Sequence, residues 1–155
     1  MPGADEFALE RFVPYRLSVL SNTISRSIAR LYAEQFGLSI PEWRVMAVLG
    51  RFGPLSANEV CDRTATDKVG VSRAVARLVE NGLLHRTTDE CDRRRSVLRL
   101  SRRGREVHDR IVPIARQREA RILEVLSPDE SAQLDRLLSK LQARAQRLAR
   151  EDTSE

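Results

Sequence analysis

One stretch, residues 56–101, constrains the fold of this chain more than any other: SANEVCDRTATDKVGVSRAVARLVENGLLHRTTDECDRRRSVLRLS. Ser56 with Glu59 three residues on is a capping box, in which the hydroxyl and the carboxylate each accept from an otherwise unpaired N–H at a helix start. A helix therefore begins at Ala57. It can run only to about Thr64, because Thr64, Ala65, Thr66 and Asp67 supply turn formers and fresh N-cap candidates. A second helix over residues 68–81 closes at Asn81-Gly82, where glycine can take the left-handed conformation. Two helices joined by about three residues make a helix-turn-helix, whose second member can lie in a DNA major groove.

Winding that second helix at about 100° per residue separates two faces. Val71, Ala74, Val75, Leu78 and Val79 form an apolar side that must be buried. Opposite them lie Val69, Gly70, Arg73, Ala76 and Arg77, with Lys68 and Ser72 near the leading end. Arginine can donate bidentately to guanine, and a valine or alanine methyl can touch a thymine methyl. A solvated charged face on an amphipathic helix has the same pattern, so the segment after Gly82 carries the distinction.

There, residues 83–88 and 96–100 read as an antiparallel ribbon around a polar tip. The tip holds Asp92, Arg93, Arg94 and Arg95. Three adjacent guanidiniums repel unless something negative is near: Asp92 can orient one by a forked pair, and phosphates or a narrow minor groove can satisfy the others.

The order of helix, recognition helix, Asn-Gly-Leu-Leu-x-Arg and a wing with Asp-Arg-Arg before Val-Leu-Arg-Leu-Ser-x-x-Gly resembles the MarR-type bacterial regulators. The likeness spans about residues 14–150 of the single 1–155 chain and includes Leu38-Ser39-x-Pro41-Glu42-Trp43. It implies a mostly α fold with a small β-wing: a winged helix-turn-helix domain, residues 38–100, plus a helical dimerisation bundle from 14–36 and 101–150. It further implies a homodimeric transcription factor, usually a repressor, that leaves a double-stranded operator when a small molecule binds. In such proteins the wing arginine enters the minor groove braced by the aspartate, here Arg94 and Asp92. Arg95 is an addition, expected to reach phosphate. The DNA-contacting set is then Ser56, Lys68, Val69, Gly70, Ser72, Arg73, Arg77, Asp92, Arg93, Arg94 and Arg95.

Bulk properties agree. The 155 residues suffice for one core but not for two full domains. The basic complement is 25 Arg and 2 Lys, and 13 of these against 9 acidic residues fall within residues 54–110, so most of the net charge of +5 surrounds the proposed reading head. That balance suits a polyanionic partner. No run approaches membrane-spanning length and the start lacks a secretory pattern, so no membrane association and a cytoplasmic location are expected.

The flanking helices carry unmatched apolar stripes. Pro14 opens a helix running to about Phe36 with Leu17, Leu20, Ile24, Ile28 and Leu31 in a narrow seam. Ser39 and Glu42 start another, with Trp43, Val45, Met46, Val48 and Leu49, that breaks at Gly53-Pro54. Ser101 caps a long helix with Val107, Ile111, Ile114, Ile122, Val125 and Leu126, which Pro113 should bend. Ser127-Pro128-Asp129-Glu130 starts the last helix, striped by Leu134, Leu137, Leu138, Leu141, Ala145 and Leu148. A dimer in which the first and last helices pair with their counterparts covers these stripes; Leu17, Leu20, Ile24, Leu134, Leu138, Leu141 and Leu148 are the expected contacts. Two-fold symmetry would set recognition helices roughly 34 Å apart and select a palindrome.

A regulatory cavity would draw on Arg16, Ser21, Asn22, Arg26 and His108 as polar groups, with Trp43 and Met46 as walls. Arginine beside apolar walls favours an aromatic carboxylate or its acyl thioester. Trp43 and Met46 also suit a plain core, and the arginines suit ordinary ion pairs. Cys61 reads as a small buried residue. Cys91, in the wing, opens an alternative of a redox-sensing regulator. The cysteines and histidines lack paired zinc-site spacing, so neither a metal nor a cofactor is expected. With no phosphate loop and no nucleophile turn, enzyme chemistry is not expected either. The competing classes are a constitutive architectural DNA-binding protein without effector and a protein-interaction adaptor.

Overall fold

Three helices begin where a serine stands three residues before a glutamate. In the computed structural model, which describes residues 7–153, Ser39, Ser56 and Ser127 each accept from the amide of the third helical residue. Glu42, Glu59 and Glu130 each accept in return from the serine amide. These reciprocal bonds satisfy helix-start donors that have no intrahelical partner. Proline in the first turn, where no amide hydrogen is missed, helps to start α1 (Val13–Phe36), α2 (Ile40–Phe52) and α6 (Pro128–Asp152). A short 3-10 turn, Leu9–Arg11, precedes α1.

The reading head is α3 (Ala57–Arg63) and α4 (Lys68–Glu80), followed by β1 (Leu84–Thr88) and β2 (Ser96–Leu100). Asp67 caps α4 by accepting from the Gly70 amide. The strands pair antiparallel from Leu84 opposite Leu100 to Thr88 opposite Ser96. Leu55, ahead of α3, also bridges Leu98 through two backbone hydrogen bonds of 3.1 and 2.7 Å, which ties the wing root to the segment before the helix-turn-helix.

Ser101 joins the wing to α5 (Arg102–Leu123). Its hydroxyl donates to the Gly82 carbonyl at 2.7 Å and accepts from the Gly104 amide at 2.9 Å. A Cβ on Gly104 would overlap the Leu83 carbonyl oxygen, so glycine is what lets α5 lie against the ribbon.

The described residues pack as two units that divide between Ala115 and Arg116. In the first, Tyr32, Leu38, Val45, Met46, Leu49, Val60, Val71, Ala74, Val75, Leu78, Leu83, Leu84, Leu98 and Ile111 form one buried cluster. In the second, no residue of α6 is buried, and Leu134, Leu137, Leu138, Leu141 and Leu148 are 38–52% exposed. Among the described residues no helix is long and apolar enough to cross a membrane.

Several expectations need correcting. Val79 does not belong to the buried face of α4 and is 37% exposed, because the winding leaves it at the margin of the arc centred on Val71, Val75 and Leu78. Met46 is fully buried in the core cluster, the plain-core placement that its sequence also suits. The long helix after the wing stops at Leu123, where the Leu126 amide turns back to the Leu123 carbonyl; Val125 lies outside it, 82% exposed. Pro113 lies inside this helix, as its position in the sequence implies.

Candidate nucleic-acid interface

The apolar face of α4 determines which residues look outward. With Val71, Ala74, Val75 and Leu78 buried, Lys68, Val69, Ser72, Arg73 and Arg77 are left exposed. Gly70 is half-buried: a side chain there would meet the Thr66 methyl, and its amide serves the Asp67 cap, so its small size answers to a neighbour inside the fold. Among the described residues Lys68 and Arg73 make no ion pair. Arg77 does: its Nε lies 3.1 Å from Glu42 Oε1. The two arginines of the outer face are therefore not equivalent.

Turns made by aspartate side chains shape the wing tip. The Cys91 amide donates to Asp89 Oδ1 at 2.8 Å and the Arg94 amide donates to Asp92 Oδ1 at 3.0 Å. Asp92 was expected to fork onto a guanidinium; instead it braces the Arg94 backbone and leaves that side chain exposed. A short polar side chain closes its own two-residue turn more readily than it reaches a flexible arginine tip. Arg93 and Arg94 make no ion pair among the described residues.

Arg95 has a partner inside the protein, its Nη2 lying 2.7 Å from Glu59 Oε1. Glu59 is held below the usual carboxylate range by the Ser56 amide first and by Arg95 second, and the same pair raises Arg95. Ser56, Asn58, Glu59, Asp92, Arg94 and Arg95 thus line one groove between the start of α3 and the wing. Ser56 itself is half-buried and engaged in its capping box.

A second groove gathers Lys68, Ser72 and Arg86 with Asn58 and Cys61. Arg86 and Asn58 were missed by the sequence reading. For Arg86 a signal existed: it stands two residues after buried Leu84 and so shares that strand face.

The residues expected at a ligand site divide. Trp43 packs between Tyr32, at 5.9 Å, and His108, at 5.7 Å between ring centroids. Burial pushes the Tyr32 hydroxyl up to about 12, with Arg44 pulling the other way. Arg16 borders a separate, mostly apolar groove on α1 with Val13, Leu17 and Leu20. Ser21, Asn22 and Arg26 are exposed on α1. Arg44 was not anticipated. It reaches Ser25 on α1 at 3.3 Å and the Ala65 carbonyl in the helix-turn-helix turn at 3.1 Å, so one side chain links both.

The model described as MarR family matches residues 36–95. The uncharacterized HTH-type transcriptional regulator YkoM of Bacillus subtilis is 33% identical over 116 residues, 75% of this chain and 75% of that protein. The chain belongs to the MarR family. As a MarR protein it is a transcriptional regulator with a winged-helix DNA-binding fold. The HTH-type transcriptional repressor IacR of Pseudomonas putida is 26% identical over 137 residues, covering 88% of this MarR chain and 81% of its own. The structure of Bordetella bronchiseptica BpsR, described as regulated in its DNA binding by 6-hydroxynicotinic acid, superposes with a TM-score of 0.77 at 25% identity, over 90% of this chain and 98% of that one.

Proposed function

We propose that this MarR protein is a cytoplasmic, homodimeric repressor that reads a palindromic operator and is released by a small aromatic carboxylate or its thioester. The observation that carries the DNA reading is two exposed basic surfaces that make no ion pair among the described residues, Lys68 and Arg73 on α4 and Arg93 and Arg94 on the wing. An exposed guanidinium without an internal partner keeps its donors free for an anion, and a duplex offers guanine edges in the major groove and negative potential in the minor groove.

The dimer reading rests on exposed apolar stripes. Leu17 and Leu20 on α1 are 42% and 55% exposed, and α6 has no buried residue. Apolar stripes of this length on solvent-facing helices call for cover, and a second copy supplies the matching surface. Residues 14–36 and 101–150 would form this region and 38–100 the DNA-binding region.

The ligand reading rests on Trp43, half-buried beside His108, and on Arg44, which links α1 to the turn of the helix-turn-helix. A molecule that displaced α1 would move that turn. IacR supports a repressor role, and BpsR supports an aromatic carboxylate.

A mobility shift on the chain's own promoter, with and without a panel of aromatic acids and their thioesters, tests the whole. A regulator should prefer one palindrome by roughly a thousandfold or more over other DNA and lose it on effector addition. Binding that ignores sequence and falls steeply with salt would instead indicate an architectural protein.

A further inference from the structure

Among the described residues Glu42 is the only buried charged side chain, 3% exposed. Taking a carboxylate out of water is costly unless donors meet it. Capping does not require that burial: Glu59 closes the same kind of box half-buried, and Glu130 does so exposed. At its buried position Glu42 has two partners. One oxygen, Oε2, accepts from the Ser39 amide at 2.8 Å, while the other faces Arg77 Nε at 3.1 Å.

Arg77 remains 68% exposed in its side chain. It lies one helical turn beyond Arg73 on the outward side of α4. A guanidinium is a rigid plane, so an ion pair that draws Nε toward α2 limits the directions open to Nη1 and Nη2. Those terminal nitrogens have no acceptor among the described residues. We infer that Glu42 is a positioning residue for DNA recognition: from the core of α2 it aims Arg77 at the duplex and holds the rotation of α4. This role rests on the DNA-binding reading above.

The alternative predicts the opposite sign. If Arg77 met phosphate unaided, a nearby carboxylate would only weaken the attraction, and removing it would tighten binding.

The test uses the full chain as wild type, Glu42→Gln, Arg77→Met and the double variant, titrated onto a duplex that the wild type selects from a randomised pool. Glutamine keeps an acceptor for the Ser39 amide, so the start of α2 is retained. Glu42→Gln should weaken binding about tenfold in the wild-type background and less than about twofold when residue 77 is already methionine. A purely structural role would cost the same in both backgrounds, and that result, or tighter binding by Glu42→Gln, overturns the proposal. Should Glu42→Gln fail to fold, Arg77→Lys still decides. It keeps the charge but lacks Nε, and should lose about as much as Arg77→Met; full retention overturns the aiming role. A wild-type protein that selects no duplex would overturn the DNA-binding reading as a whole. Selection by the wild type without coupling between Glu42 and Arg77 overturns only this role.

Discussion

Arg95 Nη2 lies 2.7 Å from Glu59 Oε1, joining the wing to the first turn of α3. Both side chains are more than 40% exposed, so water screens the attraction and the pair adds little to global stability. Its effect is orientation, since it fixes the loop that carries Arg94. Arg95→Ala should leave the melting temperature nearly unchanged while weakening operator binding several-fold. Circular dichroism melts beside anisotropy titrations would show the split, and a large loss of stability would contradict it.

The same pair sets a pH dependence. Because Glu59 is held below its ordinary value of 4.5, its contribution is present above that value and is lost as pH falls through the lower folded value. Wing and α3 should therefore loosen on the acid side of about pH 4.5, and Glu59→Gln should abolish that step. Amide exchange of Arg95 and its neighbours, monitored by NMR across pH 3 to 6, reports it.

On α4, Arg73 makes no ion pair among the described residues, whereas Arg77 is tied to Glu42. Arg73→Ala should cost roughly 1 to 3 kcal/mol of operator affinity and relax preference at one base pair. Lys68→Ala should weaken all sequences alike and reduce the salt slope by about one. Arg94→Ala should blunt preference for A/T-rich flanks. Equal affinity of Arg73→Ala for operator variants at every position would be as expected only if Arg73 faced phosphate.

Gly104 has the Leu83 carbonyl oxygen where a Cβ would stand. Backbone cannot yield as a side-chain tip can, so Gly104→Ala should destabilise by about 1 to 3 kcal/mol. Thermal or urea unfolding measures it, and an unchanged midpoint would mean that α5 can shift away from the ribbon.

Exposed leucines make the oligomeric state testable. Leu20→Glu on α1 and Leu138→Glu on α6, each made alone, should shift sedimentation toward the monomer and reduce operator affinity with it. A wild type that sediments as a monomer at micromolar concentration would sink the dimer.

Features set by residues three or four apart were legible before any coordinates. The capping boxes at Ser39, Ser56 and Ser127, the glycine that ends α1 and the apolar face of α4 all come from local periodicity and hydrogen bonding. The division of labour among the arginines was not legible. Arg73 and Arg77 share one helical face, and Arg94 and Arg95 are adjacent in the chain, yet one of each pair is engaged by a glutamate from a distant helix. The Leu55 bridge to Leu98 and the reach of Arg44 from α1 to the turn before α4 are likewise contacts across the fold. Sequence by itself determined which elements form and which sides they bury, because these depend on neighbours along the chain. Only the tertiary structure decided which charges are matched inside the protein and which are left for a partner, because a carboxylate selects its cation by proximity in space.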